Sequence, residues 1–327
     1  MSKPGYAALH GGEASAVLLP SLGGKIRDLT LGGRQWFWHN PLVPFAPPPT
    51  EDAPFGTAGD SGGFDDCFPT VAAGTLPTWV KGAADLALTD HGELWRRAPE
   101  TEITTAADGH AATCTWENRR WPWRFTRTLR VLPAGDVRFE YDVHNGGANR
   151  MPFLWAGHAL FPLTALTRLH LPEGARTRVW SQQGADFGGS GAEHQWPRVR
   201  AGAAVADLSA PATALKEPYA VKLFVSLPPA DCVIGLSEGA ARLDIALDGR
   251  AVPYVGLWIN HGAWTPFTPK RSWLPWKKAV KPYSNVGFEP CNGAPDTLSD
   301  AVGSWDSASW LDPDATARWS MTWRAGA

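Results

Sequence analysis

Among the 327 residues, one carboxylate stands where a strand should end: Glu289, in Asn285-Val-Gly-Phe-Glu-Pro-Cys-Asn-Gly293. Val286 and Phe288 make a strand-like entry, and Pro290, which has no N–H for a ladder, predicts that the strand stops there. An acid on such a rigid mount can serve as a base. The same carboxylate can equally cap the amides of Asn292 or Gly293 in a turn. His158 is embedded in the apolar run Pro152-Phe-Leu-Trp-Ala-Gly-His-Ala-Leu-Phe-Pro162, and is read either as a hydrogen-bonded core imidazole or as an acid with a tuned pKa. His91, beside Gly92, is either a ligand contact or a solvated surface imidazole. Asp65 and Asp66 follow the Pro-rich stretch from Asn40 to Gly63, which is long for an idle connection. They either face a ligand or sit as solvated acids at a loop tip.

The elements that must carry these groups are strands. With 34 Gly and 29 Pro spread along the chain, few segments can form a long helix, and an all-β class follows. Residues 14–31 alternate apolar and polar positions around Gly23-Gly24 and predict a hairpin. Residues 101–145 predict a four-strand meander, with Arg124, Arg127 and Arg130 on its solvated surface. The strands 219–227, 232–237, 241–247 and 254–260 predict a second β block, with a hairpin turn at Asp248-Gly249. Residues 181–218 lack periodicity and are expected to be an excursion. A short helix is expected from an Asp296 N-cap to Gly303, and Thr316–Arg324 is expected to close the sheet.

Composition excludes several classes. Lys+Arg of 30 against Asp+Glu of 32 gives a net charge of -2, so no overall field recruits nucleic acid or an anionic membrane. The segment Pro269–Lys281 mixes basic residues with Trp273 and Trp276. It is too short and Pro-broken for a nucleic-acid patch, and is expected to be an exposed loop, with contact to a sugar phosphate or an acidic sugar as the lesser option. No secretory signal or membrane span is predicted, which suggests a cytoplasmic protein. The four cysteines have no C-x-x-C spacing, so no zinc site is expected and the thiols are expected to be reduced, with Cys291 as pocket wall. The chain holds 18 Trp, a residue suited to stacking on sugar rings, although most must be core.

Several of these pieces, in order, resemble the aldose 1-epimerase (galactose mutarotase-like) family in a divergent form. They are Pro20-Ser-Leu-Gly-Gly-Lys-Ile-Arg-Asp-Leu-Thr30, Gly63-Phe-Asp-Asp-Cys-Phe-Pro-Thr70, Asp90-His-Gly92, Trp155-Ala-Gly-His-Ala-Leu-Phe-Pro162 and Gly287-Phe-Glu-Pro290 with Ala294-Pro-Asp296. The resemblance spans nearly the whole chain. It implies one large antiparallel β-supersandwich domain over residues 1–327 and a small-molecule sugar as ligand. It further implies His91 holding substrate hydroxyls, a protonated His158 as general acid and an ionised Glu289 as general base, with neither metal nor cofactor. Trp155 and Trp258, in strands expected to border the pocket, are candidate stacking surfaces, and Asp65 and Asp66 candidate ligand contacts. The implied activity is interconversion of α and β anomers by ring opening. The Gly157-His158 context motivates a sugar-binding protein without turnover as the alternative, and Asp65 or Asp66 paired with Glu289 would instead make a glycoside hydrolase or lyase.

Overall fold

The computed structural model describes residues 5–50, 52–83, 86–267 and 283–326. Nearly all ordered backbone in this range is antiparallel strand, collected into two large sheets. The site-bearing sheet has thirteen strands among the described residues. From one edge it runs through Ala7–Gly11, Ala14–Leu19, Lys25–Leu31, Phe64–Cys67, Ala156–Pro162, Ser284–Cys291, Tyr254–His261, Tyr219–Ser226 and Arg176–Gln183. The second sheet has eight strands, and the predicted meander forms one half of it as Glu100–Ala106, Gly109–Asn118, Trp123–Val131 and Val137–Asn145. Thr316–Ala325 enters beside Val137–Asn145, so the C-terminal strand does close this sheet, from its middle.

The two sheets pack face to face because each strand turns alternate residues inward. Phe64 and Phe161 of the site sheet meet Phe139 and Trp323 of the second, with ring centroids 5.1 Å apart for Phe64–Phe139 and 6.3 Å for Phe161–Trp323. In the central strands of the site sheet the alternation is hidden in composition, since both faces are buried there. Val221, Leu223 and Val225 point to the inter-sheet core, as do Val286 and Phe288, which leaves Lys222, Asn285 and Glu289 on the outer face.

Several expectations are met and others corrected. The hairpin around Gly23-Gly24 forms, with both glycines at positive φ. The Glu289 strand does not stop at Pro290 but runs to Cys291, with Pro290 opposite Val255. Asp248-Gly249 is not a hairpin turn: Ala241–Asp248 lies in the second sheet and Tyr254–His261 in the first, so the chain crosses between layers there. Residues 181–218 are no excursion from the sheet, because Glu193–Gln195, Arg198–Ala201 and Ala204–Asp207 extend its edge. The helix begins later than expected, at Leu298 after Thr297. The basic, Trp-bearing segment 269–281 lies outside the described residues.

Candidate active site

The outer face of the site sheet opens into a cavity of about 640 Å³, within the usual range for small-molecule pockets. Glu289 and His158 both line it. Their strands are neighbours: the pairs Ala156↔Cys291 and Leu160↔Gly287 bracket a stretch whose constant register puts His158 level with Glu289. The ladder lapses between those pairs, where Pro290 has no N–H to donate. Level residues on adjacent strands share a face, so backbone geometry alone delivers the acid and the imidazole to one cavity. Glu289 does not cap the following turn. Asn292 is engaged elsewhere, donating its N–H to the Trp155 carbonyl and accepting the Trp155 N–H on its Oδ1.

Glu289 is 1% exposed, and its Oε2 accepts a 2.5 Å hydrogen bond from the Lys222 ammonium. Its Oε1 is buried without a protein partner. Burial pushes the carboxyl above its ordinary range, and Lys222 opposes that rise. Lys222 also faces Asp296 Oδ1 at 3.4 Å. Burial alone would lower the lysine, but Asp296 and Glu289 outweigh it and hold the ammonium charged. Two glycines clear the space. Lys222 pairs with Trp258, and must reach diagonally across Gly256 to the Glu289 strand; a Cβ on Gly256 would stand 3.3 Å from the lysine Nζ. A Cβ on Gly287 would stand 2.5 Å from Glu289 Oε1.

His158 is buried, with Nδ1 unpartnered. Burial, reinforced by His91, Lys222 and Lys25, holds its imidazole well below the usual histidine range, which runs against the expected protonated ring. His91 lines the same cavity, with φ of 57°, and its ring lies flat on Phe55 at 3.6 Å between centroids. Its Nδ1 is 3.1 Å from Asp90 Oδ1, which orients the ring and leaves Nε2 free to face the cavity. The His91 and His158 rings meet edge to face at 5.0 Å. Phe55 belongs to a four-residue helix, Phe55–Ala58, inside the Pro-rich stretch, which accordingly supplies part of the cavity wall.

The remaining candidates divide. Trp258 lines the cavity, with Trp264 perpendicular to it at 5.5 Å. Trp155 does not. It is fully buried between the sheets against Tyr141 and Trp319, and its indole N–H donates to Asp66 Oδ1 at 2.9 Å. Asp66 points inward like Phe64, two residues before it, and takes the Arg127 guanidinium at 2.8 Å. Arg127 is thus a buried partner and not a solvated surface residue. Asp65 turns to the other face, where its Oδ2 pairs with the buried Lys25 ammonium beneath the cavity lining. Asp65, Asp66 and Trp155 are therefore withdrawn as ligand contacts, since none reaches the cavity lining. Cys291 packs with Cys67, Val71, Ala156, Phe224 and Ala294 in a small apolar cluster rather than in the cavity wall. Among the described residues no group of His, Cys, Asp and Glu is arranged to hold a metal ion.

The chain has the galactose mutarotase-like fold. Its structure is similar to that of the Slr1438 protein of Synechocystis, with a TM-score of 0.66 and 15% identity over 99% of this chain and 96% of the other. It is similar to a galactose mutarotase related enzyme of Lactobacillus acidophilus at a TM-score of 0.61 and 14% identity, covering 99% and 98%. A galactose mutarotase-like protein of Clostridium acetobutylicum aligns at 0.61 and 13% identity, covering 98% and 94%. The sequence itself matches no protein-family model and no curated protein.

Within this galactose mutarotase-like frame, three ionisable groups of the cavity escaped sequence reasoning: Lys222, Asp296 and Asp60. Lys222 did carry a signal, as the one charge in Tyr219-Ala-Val-Lys-Leu-Phe-Val225. A lysine amid residues buried on both faces needs an anion. Asp296 had been assigned to a helix cap, but Thr297 takes that position and bonds Asp300 instead. The Asp296 carbonyl accepts the N–H groups of Val71 and Ala72, which pins its side chain against Lys222. Asp60, in the Pro-rich stretch, accepts the Tyr283 hydroxyl at 3.0 Å and the Asn40 amide at 3.5 Å.

Proposed function

We propose that the protein is a carbohydrate mutarotase, with Glu289 as the base that removes the proton of an anomeric hydroxyl. One observation supports this above the others: Glu289 and His158 lie level on adjacent strands of one cavity, each with a buried polar atom that no protein group satisfies. Such atoms are costly unless a ligand or water completes them. A sugar carrying hydroxyls around an apolar ring face offers that completion, with Trp258 as the surface for the ring and His91 Nε2 as a hydrogen-bonding partner for a hydroxyl.

In this mechanism Glu289 Oε1 takes the anomeric proton, the bond from the anomeric carbon to the ring oxygen breaks, and the ring oxygen takes a proton. Rotation about the bond from the first to the second carbon presents the other carbonyl face, and closure reverses the transfers. Burial raises the basicity of Glu289, which suits it to the task. Anomer interconversion of freshly dissolved aldoses, followed by NMR or polarimetry, tests the assignment. Glu289→Gln is expected to lower the rate about 10²–10⁴-fold while sugar binding persists. An unchanged rate would sink the assignment.

The closed Lys222–Glu289 ion pair favours one alternative, sugar binding without turnover. A wild type that binds aldoses but leaves their mutarotation rate at the solvent value selects it.

A further inference from the structure

Ring opening requires a proton at the ring oxygen, and the resemblance assigns its delivery to His158. A neutral imidazole that gives up its remaining N–H proton becomes an imidazolate, a poor outcome in a buried site that already holds Glu289 and Asp296. We propose that Lys222, rather than His158, protonates the ring oxygen, acting in concert with Glu289. The proposal rests on the mutarotase reading above and assigns a further catalytic residue to that reaction.

Three geometric facts carry it. The anomeric hydroxyl and the ring oxygen are bonded to the same carbon, so the base and acid that serve them must stand side by side. Lys222 Nζ and Glu289 Oε2 are 2.5 Å apart, and both residues line the cavity. Of the three ammonium N–H bonds, one goes to Glu289 and one faces Asp296 Oδ1 at 3.4 Å; among the described residues no other acceptor takes the third. The sheet is also built around this contact. A methyl group on Gly287 would stand 2.5 Å from the carboxylate and displace it, and one on Gly256 would crowd the lysine Nζ at 3.3 Å.

The proton account closes without a change of net charge. The O–H bond of the anomeric hydroxyl and the bond to the ring oxygen break. A Glu289 O–H bond and a ring-oxygen O–H bond form, and Lys222 goes from ammonium to amine. The site passes from carboxylate plus ammonium to carboxylic acid plus amine, which a low-dielectric cavity tolerates better than charge creation. The transfers assist each other. Glu289 is one of the two anions that keep Lys222 protonated, so its protonation releases the lysine proton when the ring oxygen needs it. Closure reverses both transfers and returns the carboxylate and the ammonium.

The test compares kcat for mutarotation of freshly dissolved α-D-glucose and α-D-galactose in the wild type and in Lys222→Met, Lys222→Arg and His158→Asn, with thermal melts reporting folding. Lys222→Arg keeps the positive charge beside Glu289 and Asp296 but does not release its proton. Both lysine variants are expected to lose about 100-fold in kcat, and His158→Asn is expected to lose less kcat than either, with the larger change in KM. A Lys222→Arg enzyme within about threefold of wild type would reduce the lysine to an electrostatic partner and overturn the proposal. So would a His158→Asn enzyme as depleted in kcat as Glu289→Gln, an outcome that does not depend on the lysine variants folding. An active wild type with either result removes the Lys222 role alone. A wild type without mutarotase activity removes both this role and the function it rests on.

Discussion

At the depth of the cavity wall Asp60 holds its proton over a range in which an exposed aspartate is ionised. Burial pushes its carboxyl up to about 7, against the Tyr283 hydrogen bond and the charge of Lys25. Between about pH 4 and pH 7 the folded protein therefore binds a proton that the unfolded chain has released, so this group makes stability fall as pH rises through that window. Asp60→Asn should reduce the fall: the drop in thermal midpoint from pH 5 to pH 8 is expected to be smaller in the variant. An identical drop in both proteins would show that Asp60 is already ionised at pH 5. Asparagine can still accept the Tyr283 hydroxyl, which keeps the substitution local.

The strands hold the candidate groups by register rather than by loops. His158, Glu289 and Lys222 are interior residues of Ala156–Pro162, Ser284–Cys291 and Tyr219–Ser226, and a slip of one residue in any of them would turn its group into the inter-sheet core. The glycines are part of the same design. Gly287 pairs with Trp258 and needs no positive φ, so steric clearance and not backbone freedom is what a side chain there would cost. Gly287→Ala should leave the sheet folded while displacing the Glu289 carboxylate. We expect kcat/KM for mutarotation to fall about 100-fold with an almost unchanged melting temperature. Full activity in that variant would mean that the position of Oε1 is immaterial.

The two sheets are joined through a buried polar contact as well as through their aromatic core. Arg127 rises from the second sheet to Asp66 in the first and to the Gly24 carbonyl, at 2.8 Å and 2.6 Å, and it is 1% exposed. Asp66 is held in turn by the Trp155 indole. Removing one member strands the other as an unpaired buried charge. Arg127→Met is expected to cost about 3–5 kcal/mol in urea unfolding. The double variant Arg127→Met, Asp66→Asn is expected to recover part of that, because no uncompensated charge remains. A single variant that costs less than about 1 kcal/mol would show that the pair contributes little to holding the layers together.

Much of the fold was legible before any coordinates. Gly and Pro content, the Gly23-Gly24 hairpin, the meander and the closing strand are local matters of backbone freedom and period-two alternation, and each is present. Glu289, His158, His91 and Trp258 were also legible as candidates, since a polar or large aromatic side chain in an apolar run needs a partner or a ligand. What the one-dimensional pattern left undecided was partnership. Asp65 and Asp66 are adjacent in sequence but turn to opposite faces of the sheet, where Lys25 meets the one and Arg127 the other. Arg127 reads as one more polar residue on an alternating strand until the facing sheet buries it. Lys222, 67 residues before Glu289, meets it only because Tyr254–His261 brings a glycine between them. Alternation and turn chemistry are properties of neighbours along the chain, so the sequence by itself determined the strands and which residues were out of place in them. Charge compensation and clearance depend on groups far apart in the chain, and only the tertiary structure decided which acids pair with Lys25 and Arg127 away from the cavity lining and which, Glu289 with Lys222, belongs to that lining.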